Sequence, residues 1–244
     1  MVDKRLELVK KLENLDPTKL KILIGFDGFV DEIIHVVDKR QDSSNYTRVD
    51  NIEALASRIE KAAGLSTNIE LVPVQKKIGG NGPIMCNALS KHDGEVTYLG
   101  ALGYPNIDEV FKGLEDNVTP YSFANPGHTD ALEFFDGKLL FGKMTSLNDV
   151  TYENLIKSIG LDKLKEILGN TDLFATVNWS MLPYMTDLWR KLLKDVLPSL
   201  PKRAKKPYFF VDLADPEKRE NKEIKEALDL LKDFNKYHIV DEVY

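Results

Sequence analysis

The stretch Leu71–Gly103, LVPVQKKIGGNGPIMCNALSKHDGEVTYLGALG, decides how this chain is read. Leu71, Val72, Val74 and Ile78 have the spacing of an extended run, and Gly79-Gly80 stops it. Pro83 stands where the first turn of a helix tolerates a residue without an N–H. Ile84, Met85, Ala88 and Leu89 then recur at helical spacing, and Gly94 closes the helix ahead of an apolar strand. The spacing predicts strand, glycine turn, helix, strand. Amides at such a helix start point at whatever sits over the turn, and glycines let it come close.

Three readings of the turn stand open. It is a tight connection without a ligand, a dinucleotide loop, or a polar clamp made by Gly79, Gly80 and Asn81. The dinucleotide pattern G-x-G-x-x-G has Gly80 and Gly82, but Met85 holds its third position. No Gly-Lys-Ser/Thr follows, which excludes a P-loop.

Working outward, Lys21–Phe26 (KILIGF) is a continuous apolar run, as expected for a strand covered on both faces. GFDGFVDEI follows it and places Asp27 and Asp31 beyond the strand's carboxyl end, where open α/β sheets bind ligands. The alternative is that Asp27-Gly28 makes a turn and Asp31 faces solvent. A short amphipathic helix is expected over Lys4–Leu15 and a second extended stretch over Ile33–Val37. Gln41–Asn45 reads as a loop, and Asp50 with Glu53 reads as a capping box for a helix Asn51–Ala63. GYPNIDEVFKGL reads as loop and helix, and Asp136-Gly137 between alternating strands signals a hairpin over Asp130–Met144. Helical Tyr152–Leu168, Tyr184–Val196 and Pro216–Phe234 alternate with strands Asp172–Trp179, Tyr208–Leu213 and Tyr237–Val240. That alternation predicts a parallel sheet wrapped by helices, an α/β protein, with the hairpin, Ile33–Val37 and Leu71–Ile78 in a small separate sheet.

The 244 residues suffice for one sizeable core. A net charge of −6 argues against nucleic acid or an acidic membrane as partner. One cysteine, Cys86, excludes an internal disulfide and suits the cytoplasm; on an apolar face it reads as packing. The four histidines show no metal spacing, and no signal peptide or membrane-length apolar run is present.

The order of these parts resembles the ribokinase-type (PfkB) carbohydrate kinase family, over roughly Lys21 to Asp241. The pieces that carry the resemblance are GFDGFVDEI, KKIGGNGPIMCNALSKHDGEVTYLGALG, ALEFFDGKLLFG and VDLADPEKR. It implies a ribokinase-like fold, with a mostly parallel central sheet flanked by helices and a small β-sheet lid. Residues 1–244 would form one domain, incomplete at its carboxyl end, with the lid drawn from about 33–48, 70–78 and 119–144. It implies ATP-dependent phosphorylation, with Mg²⁺, of a hydroxymethyl group on a sugar, nucleoside or related polyol, in the cytoplasm. Asp31, with Asp27 as the nearby alternative, matches the acid that holds acceptor hydroxyls, and Gly79, Gly80 and Asn81 match the rest of the acceptor pocket. Asn178, Asp212 and Asp215 lie where the family contacts phosphate or metal, with no metal ligand assigned. The lid, through Leu132, Phe134, Leu139 and Phe141, would offer a homodimer surface.

Three departures follow from the same comparison. Pro83-Ile84-Met85 stands where family members carry an asparagine, and Gly103-Tyr104-Pro105-Asn106 replaces a Gly-x-Asp. The segment Thr-x-Gly-Ala-Gly-Asp, which holds the family's catalytic aspartate, occurs nowhere. Phosphoryl transfer depends on that aspartate and its glycine amides, so the expectation is a chain inactive alone, the sugar-binding portion of a longer kinase. The alternative function is a non-catalytic sugar-binding or regulatory module of the same fold; an oxidoreductase is disfavoured by the broken glycine pattern.

Overall fold

The structure, a computed structural model, describes residues 20–92, 94–114 and 116–238. The expected helix Lys4–Leu15 lies outside them, as do the last two residues of the expected strand Tyr237–Val240; Tyr237 and His238 form a turn.

Strand β1 (Lys21–Phe26) is the middle of a five-stranded parallel sheet. Its neighbours are β5 (Glu95–Gly100) and β9 (Leu173–Thr176), with β6 (Val118–Ser122) and β10 (Tyr208–Val211) outside them. The apolar run of β1 is explained by cover on both faces. Ile22 and Ile24 pack with Val96, Tyr98, Cys86 and Phe111 on one side. Leu23 packs with Phe174, Trp179, Trp189 and Phe209 on the other. The first face carries α2 (Asn81–Ser90). The second carries α3 (Tyr152–Ile159), α4 (Leu161–Asn170), α5 (Met185–Lys191) and α6 (Asn221–Phe234).

The second sheet is built around β2 (Phe29–Arg40), which pairs with β3 (Tyr46–Arg48), β4 (Leu71–Gly79) and, in parallel, β7 (Gly127–Glu133). β8 (Lys138–Lys143) closes a hairpin onto β7 around Asp136-Gly137. Helix α1 (Ile52–Lys61) covers one part of it through Leu55, against Ile34, Val36, Val49, Leu132 and Phe134. Only Asp27 and Gly28 separate β1 from β2, so the chain passes directly from the main sheet into the lid.

Several local expectations differ. Segment 119–144 is split, because β6 belongs to the main sheet and only β7 and β8 to the lid. The second stretch starts at Phe29, four residues before Ile33, since the two central strands share one continuous turn. Asn51, not Asp50, caps α1: its Oδ1 accepts the Ala54 N–H at 2.8 Å. The Glu109–Gly113 segment is a single 3-10 turn. Gly160, at φ +80°, divides the helical region Tyr152–Leu168 in two. Leu132 and Phe134 are buried beneath α1 rather than offered to a second copy; the exposed apolar residues of the hairpin are Phe135, Leu140 and Phe141. No helix among the described residues is long and apolar enough to cross a membrane.

Candidate functional site

Four strand ends bring the site together. Asp27 leaves β1, the turn Gly79–Gly82 leaves β4, Asn178 follows β9 and Asp212 follows β10. Asp27 is fully buried, and its carboxylate faces donors from two of these segments, the turn and Asn178, and the Tyr98 hydroxyl of β5. Its Oδ2 accepts the Asn81 N–H at 2.9 Å and the Asn178 side-chain amide at 2.8 Å. Its Oδ1 accepts the Gly82 N–H at 2.9 Å. The Tyr98 hydroxyl lies 3.2 Å from that oxygen and donates to the Asp27 carbonyl at 2.6 Å.

This arrangement explains how α2 starts. Its N-cap, Gly80, has no side chain and sits at φ +91°, a backbone conformation that glycine adopts freely. Asp27 supplies the cap from another strand, placing a carboxylate against the first two amides and the positive end of the helix dipole. Those amides therefore point at Asp27, not at a ligand as the sequence suggested. Burial pushes the Asp27 carboxyl up to about 6, while hydrogen bonds from Asn178, Gly82, Tyr98 and Asn81 pull it back. The same burial, with Asp27 beside it, raises Tyr98.

Asp31 is placed differently. It is half-buried, and its carboxylate lies over Gly79, so close that a Cβ there would fall 2.4 Å from its Cγ. Its side chain makes no hydrogen bond or ion pair among the described residues. Gly82 is equally constrained: a Cβ would lie 2.3 Å from the Tyr98 hydroxyl and 2.5 Å from Asp27 Oδ1. Asp31 and Asp27 thus stand against successive glycines of one turn, the first with free oxygens and the second with none.

Asn81 is oriented from behind. Its side-chain N–H donates to Asp212 Oδ2 at 2.6 Å, which leaves its Oδ1 as an acceptor. Asp212 also accepts the Asn178 N–H at 3.3 Å and the Ala214 N–H at 2.8 Å. Asn178 and Ala214 both have left-handed backbone conformations, at φ 63° and 57°, in the loops that close this corner. Asp215 is outside the network, paired with Lys218 at 2.6 Å. No group of three His, Cys, Asp or Glu residues able to hold a metal occurs among the described residues. Because Asp212 is filled by protein donors and Asp215 by a lysine, these acids do not fit a Mg²⁺ site. Cys86 is buried, which pushes its thiol up to about 12, and it packs in the core. Sequence reasoning missed Tyr98; its signal is a tyrosine inside a central strand, whose hydroxyl needs a buried partner.

Residues 8–241 match the model of the prokaryotic ketohexokinase family. The chain belongs to that family. It is similar to a ketohexokinase of Haloferax volcanii, with 29% identity over 182 residues, covering 74% of this chain and 48% of the relative. The chain thus spans about half the length of the curated relative it matches. Among solved structures, a carbohydrate kinase from Agrobacterium tumefaciens aligns with a TM-score of 0.55 at 15% identity, over 86% of this chain and 58% of that one. Adenosine kinase of Trypanosoma brucei brucei aligns at 0.51 with 14% identity, over 93% and 66%. These likenesses carry the fold: a ribokinase-type parallel sheet flanked by helices, with a β lid.

Proposed function

We propose that the protein to which these residues belong transfers a phosphoryl group from ATP to a hydroxymethyl group of a ketose or related polyol, and that this chain binds the acceptor. One observation carries the reading: the unpaired Asp31 carboxylate stands over Gly79, in the same turn as Asn81, whose carboxamide is held by Asp212. Both present acceptors to hydroxyl protons. Asp27 holds the turn, and Asp212 with Asn178 holds the Asn81 side chain. The work of these residues is to bind and orient the polyol, since phosphoryl transfer depends chiefly on positioning and electrostatics. ATP supplies the phosphoryl group.

The test is ATP consumption by the full-length protein across D-fructose, D-ribose and adenosine. Sugar-dependent turnover is expected. Removing the Asp31 charge by Asp31→Asn should lower kcat/KM by about 10- to 100-fold, the loss of a hydrogen bond to a charged group. No turnover on any acceptor refutes the reading. The same unpaired Asp31 carboxylate also fits a second reading, a binding module that acts through sugar occupancy. It predicts saturable sugar binding by the 244-residue chain without ATP; flat calorimetric titrations remove it.

A further inference from the structure

Two lysines precede the glycine turn, and β4 sends them to opposite faces. Lys76 is opposite Glu32 on β2, with their charged groups 3.7 Å apart. Lys77 is opposite Asp31, so its side chain leaves from the face that carries the Asp31 carboxylate. On the other side of β2, Thr129 of β7 is in register with Asp31. Lys77, Asp31 and Thr129 therefore make one row across three strands.

The row has nothing among the described residues to satisfy it. Gly79 lies beneath the Asp31 carboxylate, and Gly142, opposite Thr129 on β8, has the Met144 side chain against it. None of the three side chains has a hydrogen bond or ion pair among the described residues. Exposure falls along the row: Lys77 is exposed, Asp31 is half-buried, and Thr129 is 9% exposed. The Thr129 hydroxyl has no protein partner among the described residues and is not sealed from solvent, so it is open to a ligand hydroxyl. The three groups differ in kind as well. An ammonium only donates, a carboxylate only accepts, and a hydroxyl does both.

We propose that Thr129 and Lys77 are further acceptor-binding residues, Thr129 meeting the hydroxyl at the buried end of a polyol and Lys77 the hydroxyl at its open end, with Asp31 between them. Two strand spacings give the row a span of about 10 Å, enough for several carbons of a polyol. This inference rests on the acceptor-binding function proposed above.

The experiment uses the full-length protein with D-fructose as probe, and compares Thr129→Val, Lys77→Met and Lys76→Met. Valine keeps the shape and strand preference of threonine and removes the hydroxyl. Thr129→Val and Lys77→Met should each raise KM for D-fructose about tenfold, with KM for ATP and the melting temperature unchanged. Lys76→Met should match the unmodified protein, because Lys76 leaves from the other face. Either variant retaining the unmodified KM for D-fructose removes that residue from the proposal. If both retain it while Asp31→Asn loses turnover, the row falls and the proposed function stands. If the unmodified protein phosphorylates none of D-fructose, D-ribose and adenosine, the function falls and the row with it.

Discussion

Burial strips water from the Asp27 carboxylate, and protein N–H groups from α2 and Asn178 take its place. Every nitrogen neighbour is a donor, so an amide at this position turns its own N–H₂ toward another donor. Asp27→Asn should therefore destabilise the fold by about 1–3 kcal/mol, read from the urea midpoint at constant m. The pH dependence has a defined sign. With its carboxyl raised from 3.8 to about 6, the folded protein binds this proton more tightly than the unfolded chain does. Its contribution to stability is complete below pH 3.8 and is lost as pH rises through about 6. The stability difference between the unmodified protein and Asp27→Asn should shrink by about 3 kcal/mol across that window, at 1.36 kcal/mol per pH unit. A flat difference would show that the carboxyl is ionised throughout. Acceptor affinity should run the other way, weakening below about pH 6 as the proton displaces a donor from the turn.

At the scale of the element, α2 shows what sequence pattern holds and what it lacks. GGNGP punctuates the chain locally, so the end of β4 and the start of the helix are legible from neighbouring residues. The group that satisfies the first amides is Asp27, 54 positions away, and no local pattern points to it. The same holds for Asn178 and Asp212, which arrive from β9 and β10 and meet Asn81 only after the sheet has formed. β1 was legible because burial on both faces writes an unbroken apolar run. The full length of β2 was not, because Asp31, Glu32 and His35 interrupt its pattern where one face turns to the site or to solvent. The two glycines of the turn can be separated by experiment. Gly82→Ala drives a methyl into the buried Tyr98–Asp27 contact, where neither partner can yield. A loss of about 1–3 kcal/mol in stability is expected, as for other overpacked sites. Gly79→Ala meets the half-exposed Asp31 side chain, which can swing away. Its melting temperature should stay near that of the unmodified protein while KM for D-fructose rises at least about tenfold. Equal effects of the two substitutions on stability and on KM would contradict this division.

Among the described residues the apolar contacts fall into three clusters, two on the faces of the main sheet and a third confined to the lid and α1. The third contains Ile34, Val36, Val49, Leu55, Leu132 and Phe134, and no residue of the main sheet. Val30, near the start of β2, belongs instead to a main-sheet cluster. The inner end of β2, with Asp31 next to Val30, is thus anchored to the main core, whereas its outer half depends on α1. Leu55→Ala opens a cavity in the smaller cluster at a cost of about 2–5 kcal/mol. Local opening is the expected response, because that cluster can loosen without breaking contacts in the other two. Amide exchange should accelerate in α1, β3 and the outer half of β2, and remain slow in β1, β5 and β9. Phe174→Ala makes the contrast, since its ring lies 6.2 Å from Phe26 and 5.3 Å from Phe209 in the main core. It should lower protection throughout. Acceptor affinity should fall less with Leu55→Ala than with Gly79→Ala, because the anchored inner end of β2 keeps Asp31 over the turn. Uniform loss of protection in both variants would mean that the lid and the main sheet unfold as one unit, and the separate lid core would then have no energetic meaning.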